Sequence, residues 1–271
     1  MDTVFTPPSA TAFEAFSAIA AAAVYMIVGS AALARAPRDI RARLFFATAL
    51  SSVAPYAVPF LIWSRGTDAA VTVPVMTAVA VSLMAGSLTL FHFAQVFPWR
   101  RPWLRAHARW LYAGYAAIPV LVTVLVPVFK TLFAGVAASG SGDIGAVSAG
   151  IAEGLVLVLL AIVVPAVFLF GVVMPCAAVY SLFKSWHAAR DWGEDAARVT
   201  TCWILASQMA GGVLAVLIIP LLRFVAPTGP WVTIGAILLV AFGLLMPLAF
   251  AAGVWKYGVL SLDPDRRPAG L

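Results

Sequence analysis

Ser82, Thr89 and His92 are spaced seven and three residues apart, and Gln95 follows three residues later. Residues three, four and seven apart share one face of a helix, so hydroxyl, imidazole and carboxamide stand in a row. Such a row could relay a proton, bind a polar ligand or hydrogen-bond to a neighbouring helix. Thr201, Gln208 and Gly212 form a second stripe by the same rule, and Ser52, Tyr56 and Pro59 a third group. Interhelical hydrogen bonding and close packing through small residues would satisfy all three without a ligand. A polar cavity shared between them is the sharper alternative.

The other groups that chemistry requires are scarce. Metal and haem sites draw on imidazole, and of three histidines His107 and His187 read as loop residues, leaving His92 alone in an apolar run. One ligand makes no site, so neither a metal nor a cofactor is expected. Cys176 and Cys202 read as small apolar packing residues. With no nucleophile, acid–base pair or metal cluster in view, enzymatic activity is not expected.

The elements that position these residues follow from composition. The chain of 271 residues is 63% hydrophobic and 10% charged, whereas soluble domains are about 25% charged. A hydrocarbon core about 30 Å thick takes about 20 apolar residues per helix. Seven runs meet this: 12–34, 44–63, 71–97, 110–129, 151–183, 199–222 and 230–255. Barrel strands of about ten residues with alternating polarity do not fit such continuous runs. The reading is an all-α membrane protein, a single seven-transmembrane helical bundle over 1–271. The first run lacks the basic leader of a signal peptide and is expected to stay in the mature protein. Intramembrane charges mark function by default, yet Glu14 and Glu153 sit near span edges, Arg223 follows the sixth span and Lys256 lies beyond the seventh. A carboxylate relay, an arginine voltage sensor and a retinal Schiff base are thereby disfavoured. Prolines 55, 59, 74, 119, 127, 165, 175, 220 and 247 fall within spans, where neighbouring helices can re-satisfy the freed carbonyls.

Lysine and arginine accumulate in cytoplasmic loops. Arg35, Arg38, Arg41 and Arg43, then Arg100, Arg101, Arg105 and Arg109, then Lys184, Arg190 and Arg198, then Lys256, Arg266 and Arg267 lie on one side; Arg65, Lys130 and Arg223 lie on the other. The N-terminus is therefore expected outside and the C-terminus in the cytoplasm, in a bacterial inner membrane. Pro98 should end the third helix at the inner surface, since proline disfavours helix through the residue before it. Trp99, Arg100, Arg101, Trp103 and Arg105 then read as membrane-surface anchors. The isoelectric point of about 9.7 suits anionic headgroups better than nucleic acid, because the basic residues sit at span ends.

Phe91-His92-Phe93 followed by Phe97-Pro98 and arginines resembles the third-span ending of bacterial seven-helix membrane domains that precede histidine kinases, phosphatases or cyclases, where a His-Phe-x-x-x-Phe-Pro phrase recurs. Trp255 to Asp263, WKYGVLSLD, is similar to the exit from their last helix. The resemblance implies a sensor-like domain, with His92, Gln95, Thr89, Ser82, Tyr56 and Gln208 as candidate polar or coupling positions. Those proteins continue into an effector domain, whereas this sequence stops at PDRRPAGL, so the output is expected through a separate protein partner. Two rivals remain. One is a small-solute transporter of three-plus-one-plus-three spans, similar in layout to the SWEET and semiSWEET family. Its internal echo is Val24-Tyr25 and Ala34-Arg35 against Val179-Tyr180 and Ala189-Arg190, with no Pro-Gln dipeptide of that family. The other is a structural subunit of a larger membrane complex.

Overall fold

A computed structural model describes residues 12–65, 69–139, 161, 164–213 and 230–263. Among these residues the fold is all-α, without strands. Helix α1 runs Ala12–Arg35, α2 Ile40–Arg65, α3 Ala69–Val96, α4 Pro102–Ser139, α6 Asp195–Val213 and α7 Pro230–Trp255. Between them α5, Val164–Asp191, has a π-helical turn at Leu169–Val173 inside α-helix. Phe16–Arg35, Thr77–Val96 and Val164–Asp191 are long and apolar enough to cross a membrane, and Val240–Trp255 is a shorter apolar stretch. The chain thus carries helices of the kind that enter bilayers.

Contacts follow the chain from α1 through α2 to α3, cross from α3 to α5, continue through α6 to α7 and close from α7 onto α1, with α4 laid against α3. This position explains the pattern of α3: a helix apolar all round is a buried one, and from Leu88 to Trp99 every residue is buried. Phe93 and Phe97, four apart and hence on one face, stack at 4.9 Å between ring centroids. Phe250 of α7 meets Phe93 at 5.7 Å and lies flat on Phe45 of α2 at 3.9 Å. Lipid tails are as apolar as these rings, so shape and edge-to-face contact hold such helices together more than hydrophobicity does. On the α6–α7 side, a Cβ on Gly253 would stand 2.5 Å from Thr200 Cγ2, so the close approach there depends on glycine.

Several boundaries differ from the expected spans. α3 ends at Val96, one residue before the expected 97, and α7 coincides with 230–255. The segment expected as a loop before residue 110 is helical from Pro102 onward, because proline suits a first helical turn whose N–H needs no partner. A break in backbone angles at His107 separates that Trp- and Arg-bearing turn from the apolar remainder. α4 also continues past 129 to Ser139, and α5 past 183 to Asp191. Most of the expected stretch 151–163, together with 214–222, lies outside the described residues. Cys176 and Cys202, read from the sequence as small apolar packing residues, are exposed on the surface of the isolated chain.

Candidate functional site: an arginine clasp at the basic end

The α1–α2 turn, the α3–α4 turn, the α5–α6 turn and the segment after α7 meet at one end of the bundle, and two buried arginines join them. Arg41 lies in the first turn of α2, two residues after Asp39, whose carboxylate caps the helix by accepting the Arg41 backbone N–H at 2.8 Å. The same carboxylate holds the guanidinium. Nε donates to both Asp39 oxygens at 3.1 and 3.2 Å, and Nη2 donates to Oδ2 at 2.7 Å. The far edge of the guanidinium addresses carbonyls: Nη1 donates to Pro98 O at 3.0 Å and Val259 O at 3.1 Å, and Nη2 to Leu260 O at 2.9 Å and Leu262 O at 3.1 Å.

These carbonyls lie where helices stop, beyond the partners that a continuing helix would provide, although Val259 O also accepts the Leu262 N–H at 3.3 Å. Pro98 follows α3. Val259–Ser261 is a 3-10 turn set up by Gly258, whose φ of +64° is a left-handed conformation suited to glycine. The Arg41 side chain is 1% exposed and that of Asp39 15%. A charge so buried is tolerable only when paired and fully hydrogen-bonded, and this one is both.

Arg101 makes the second link. It donates through Nη2 to the Ser181 carbonyl and to Ser185 Oγ at 3.0 Å; Ser185 Oγ donates in turn to Phe97 O at 3.2 Å. Gln95 Nε2 donates to Ser181 Oγ at 2.7 Å, so two turns of α5 are fastened to the end of α3. No carboxylate is paired with Arg101 among the described residues, and its Nε has no hydrogen-bond partner there. Burial pushes its guanidinium down to about 10, against an opposing influence of Tyr180, so it stays charged at neutral pH.

The expected anchors divide. Trp99 is 1% exposed, packed with Ala189, Ala197 and Leu262, and Arg101 is 8% exposed. Neither faces headgroups, because the turn after α3 folds under α5 and α6 and does not lie along the surface. Trp103 is 40% exposed, with its ring stacked on His107 at 5.0 Å and edge-on to Phe91 at 5.5 Å. Arg100 is half-buried, and the side chain of Arg105 lies outside the described residues.

The polar stripes address separate neighbours. His92 Nδ1 lies 3.3 Å from Tyr115 OH of α4, Gln95 reaches α5, and Thr89 donates back to Ala85 O at 2.8 Å within its own helix. Ser82 is half-buried. Tyr56 lies 5.9 Å from the Tyr25 ring, and Tyr25 OH donates to Gly243 O at 2.7 Å. Gln208 Nε2 donates to Met246 Sδ at 3.0 Å, while Ser207 Oγ donates to Phe242 O at 2.7 Å. The Gln208 and Ser207 bonds both join α6 to α7 and Thr89 bonds within α3, while His92, Gln95 and Tyr25 each reach a different helix, so among the described residues the stripes do not converge on one pocket.

Sequence reasoning missed Arg41, Asp39, Ser181 and Ser185. The spacing of Ser181 and Ser185, one helical turn apart in a basic segment, was an available signal; Arg41 has none that separates it from Arg38 or Arg43. No family model, curated protein or solved structure matches the chain.

Proposed function

We propose that this chain is a seven-span membrane domain with its N-terminus outside and its basic end in the cytoplasm. It acts without catalysis, as a sensor-like domain that passes a change in helix arrangement to a protein partner. The observation that supports this most is the Arg41 clasp. One guanidinium binds the carbonyls that follow α3 and α7 while being held by the turn between α1 and α2, so a shift of any of these helices is felt by the segment that leaves the last one. The two stretches behind the resemblance to bacterial seven-helix sensory domains, Phe91–Pro98 and Trp255–Asp263, each contribute carbonyls to Arg41, at Pro98 and at Val259, Leu260 and Leu262. That convergence favours the resemblance over the transporter and structural-subunit readings.

A photo-crosslinking residue tests it in the native cell. Placed at the exposed Tyr257, it should capture one discrete protein, and the same protein should be captured from Trp103. Placed at Ile234, an exposed position near the start of α7, it should not. No discrete adduct from Tyr257, or the same adduct from Ile234, would remove the reading.

A further inference from the structure

At the basic end, α5 and α6 flank an open groove of about 470 Å³, lined by Trp186 and Arg190 of α5 and by Arg198, Val199, Cys202 and Trp203 of α6. The residues come in pairs four apart, so each pair lies on one helix face. α5 runs toward the basic end and α6 away from it. Arg190 and Arg198 therefore occupy the outer level, and Trp186, Cys202 and Trp203 lie one turn deeper, about 6 Å at a rise of about 1.5 Å per residue. Charge sits above an aromatic and apolar wall.

None of the lining residues is acidic. The carboxylates of the neighbouring turn are Asp191, Glu194 and Asp195, and of these Asp195 holds Arg198 at 2.8 Å. The Arg198 side chain is 44% exposed and that of Asp195 78%. Such pairs contribute little, so a stronger anion can recruit Arg198. Arg190 is exposed and has no ion-pair partner among the described residues.

We infer that this groove is a binding site for one anionic phospholipid, with its phosphate between Arg190 and Arg198 and its acyl chain along Cys202 and Trp203. Guanidinium groups meet phosphate oxygens in a matching planar fork, and tryptophan prefers the level just beneath headgroups. A free phosphate would use only the upper half of the groove. Trp203, 53% exposed, is surface that an acyl chain covers and an inorganic ion does not. The inference rests on the chain being embedded in a bilayer with this end at a headgroup layer, and is independent of the signalling role.

The test uses the full chain in nanodiscs of phosphatidylcholine, in which a small share of the lipid is replaced by bromine-tailed phosphatidylglycerol or, separately, bromine-tailed phosphatidylcholine. Tryptophan quenching should be stronger with the anionic lipid. The Arg190→Gln/Arg198→Gln double variant should need about 25-fold more anionic lipid for the same quenching, at about fivefold per arginine, and Trp203→Leu should lower the amplitude. Arg35→Gln/Arg38→Gln, which removes two exposed charges at the same end, should change neither. Equal quenching by the two brominated lipids, or an anionic preference that survives the double variant, would overturn the site. Displacement of the quencher by millimolar inorganic phosphate would overturn its assignment to lipid. Quenching by neither lipid would overturn the embedding on which it rests, a failure separate from loss of the Tyr257 crosslink.

Discussion

Replacing Arg41 by lysine keeps the charge and removes the fork, which makes it a sensitive probe of the clasp. The guanidinium has five N–H donors and an ammonium three. Arg41 serves Asp39 through two nitrogens and four carbonyls from two other chain segments. A lysine that stays with Asp39 has two donors left for Pro98, Leu260 and Leu262, since Val259 O also accepts the Leu262 N–H at 3.3 Å, and so leaves at least one carbonyl without a donor, in a place where the Arg41 side chain is 1% exposed. Each buried group left unsatisfied costs about 1–3 kcal/mol, so Arg41→Lys should lose at least about 1–3 kcal/mol. Arg41→Met, which also strands the Asp39 carboxylate, should lose at least as much, since breaking one side of a buried pair costs about 3–5 kcal/mol. Asp39→Asn combined with Arg41→Met should lose less than the sum of the single changes, because the two residues share one interaction. Equilibrium unfolding in mixed micelles, followed by circular dichroism, reads the global loss, and amide exchange at Ser261 and Leu262 reads local release of the segment after α7. An Arg41→Lys protein within about 0.5 kcal/mol of wild type, the ordinary range for surface substitutions, with unchanged exchange there, would refute the clasp as the link between these turns.

Three other outcomes are expected. Gly253→Ala should lose about 1–3 kcal/mol through overpacking against Thr200, and Thr200→Ala in the same chain should restore most of it; melting of the single and double variants in detergent decides this. His92→Leu and Tyr115→Phe should each lose about 0.6–2 kcal/mol, and together little more than either alone, because they share one interhelical contact; fully additive losses would show that the contact is not formed. Because burial holds the Arg101 guanidinium at about 10, below its unfolded value, the unfolded chain binds more protons as pH rises past 10. Stability relative to an Arg101→Gln variant should therefore rise above that pH, and a wild-type advantage that falls between pH 9 and 11 would contradict the sign.

The apolar runs were legible because a bilayer imposes length and composition directly on sequence: Pro230–Trp255 was marked to the residue. Helix ends were less legible. Pro98 ends α3 as its chemistry requires, but Pro102 fits a first helical turn and a loop alike, and nothing local says that α5 continues to Asp191. The site was least legible because its parts come from segments distant in sequence. Arg41 is one arginine among four near the first turn, and it differs from Arg38 and Arg43 only in what the fold sets opposite it, namely Pro98 and Val259–Leu262. Trp99 and Arg101 carry the composition of surface anchors and are buried, because tertiary packing decided where the turn lies. His92 and Gln95 share a stripe and use different neighbours, since buried α3 has helices on several sides.

Sided labelling bears most directly on the proposed arrangement. Single cysteines are introduced at Tyr257 and at Ser141 in a chain whose exposed Cys176 and Cys202 are replaced by serine, and intact bacterial cells are treated with a membrane-impermeant maleimide. If the basic end is the cytoplasmic coupling face of a seven-span domain, Ser141→Cys reacts in intact cells and Tyr257→Cys reacts only after permeabilisation. Reaction of both from the same side, or of Tyr257→Cys alone in intact cells, would contradict it.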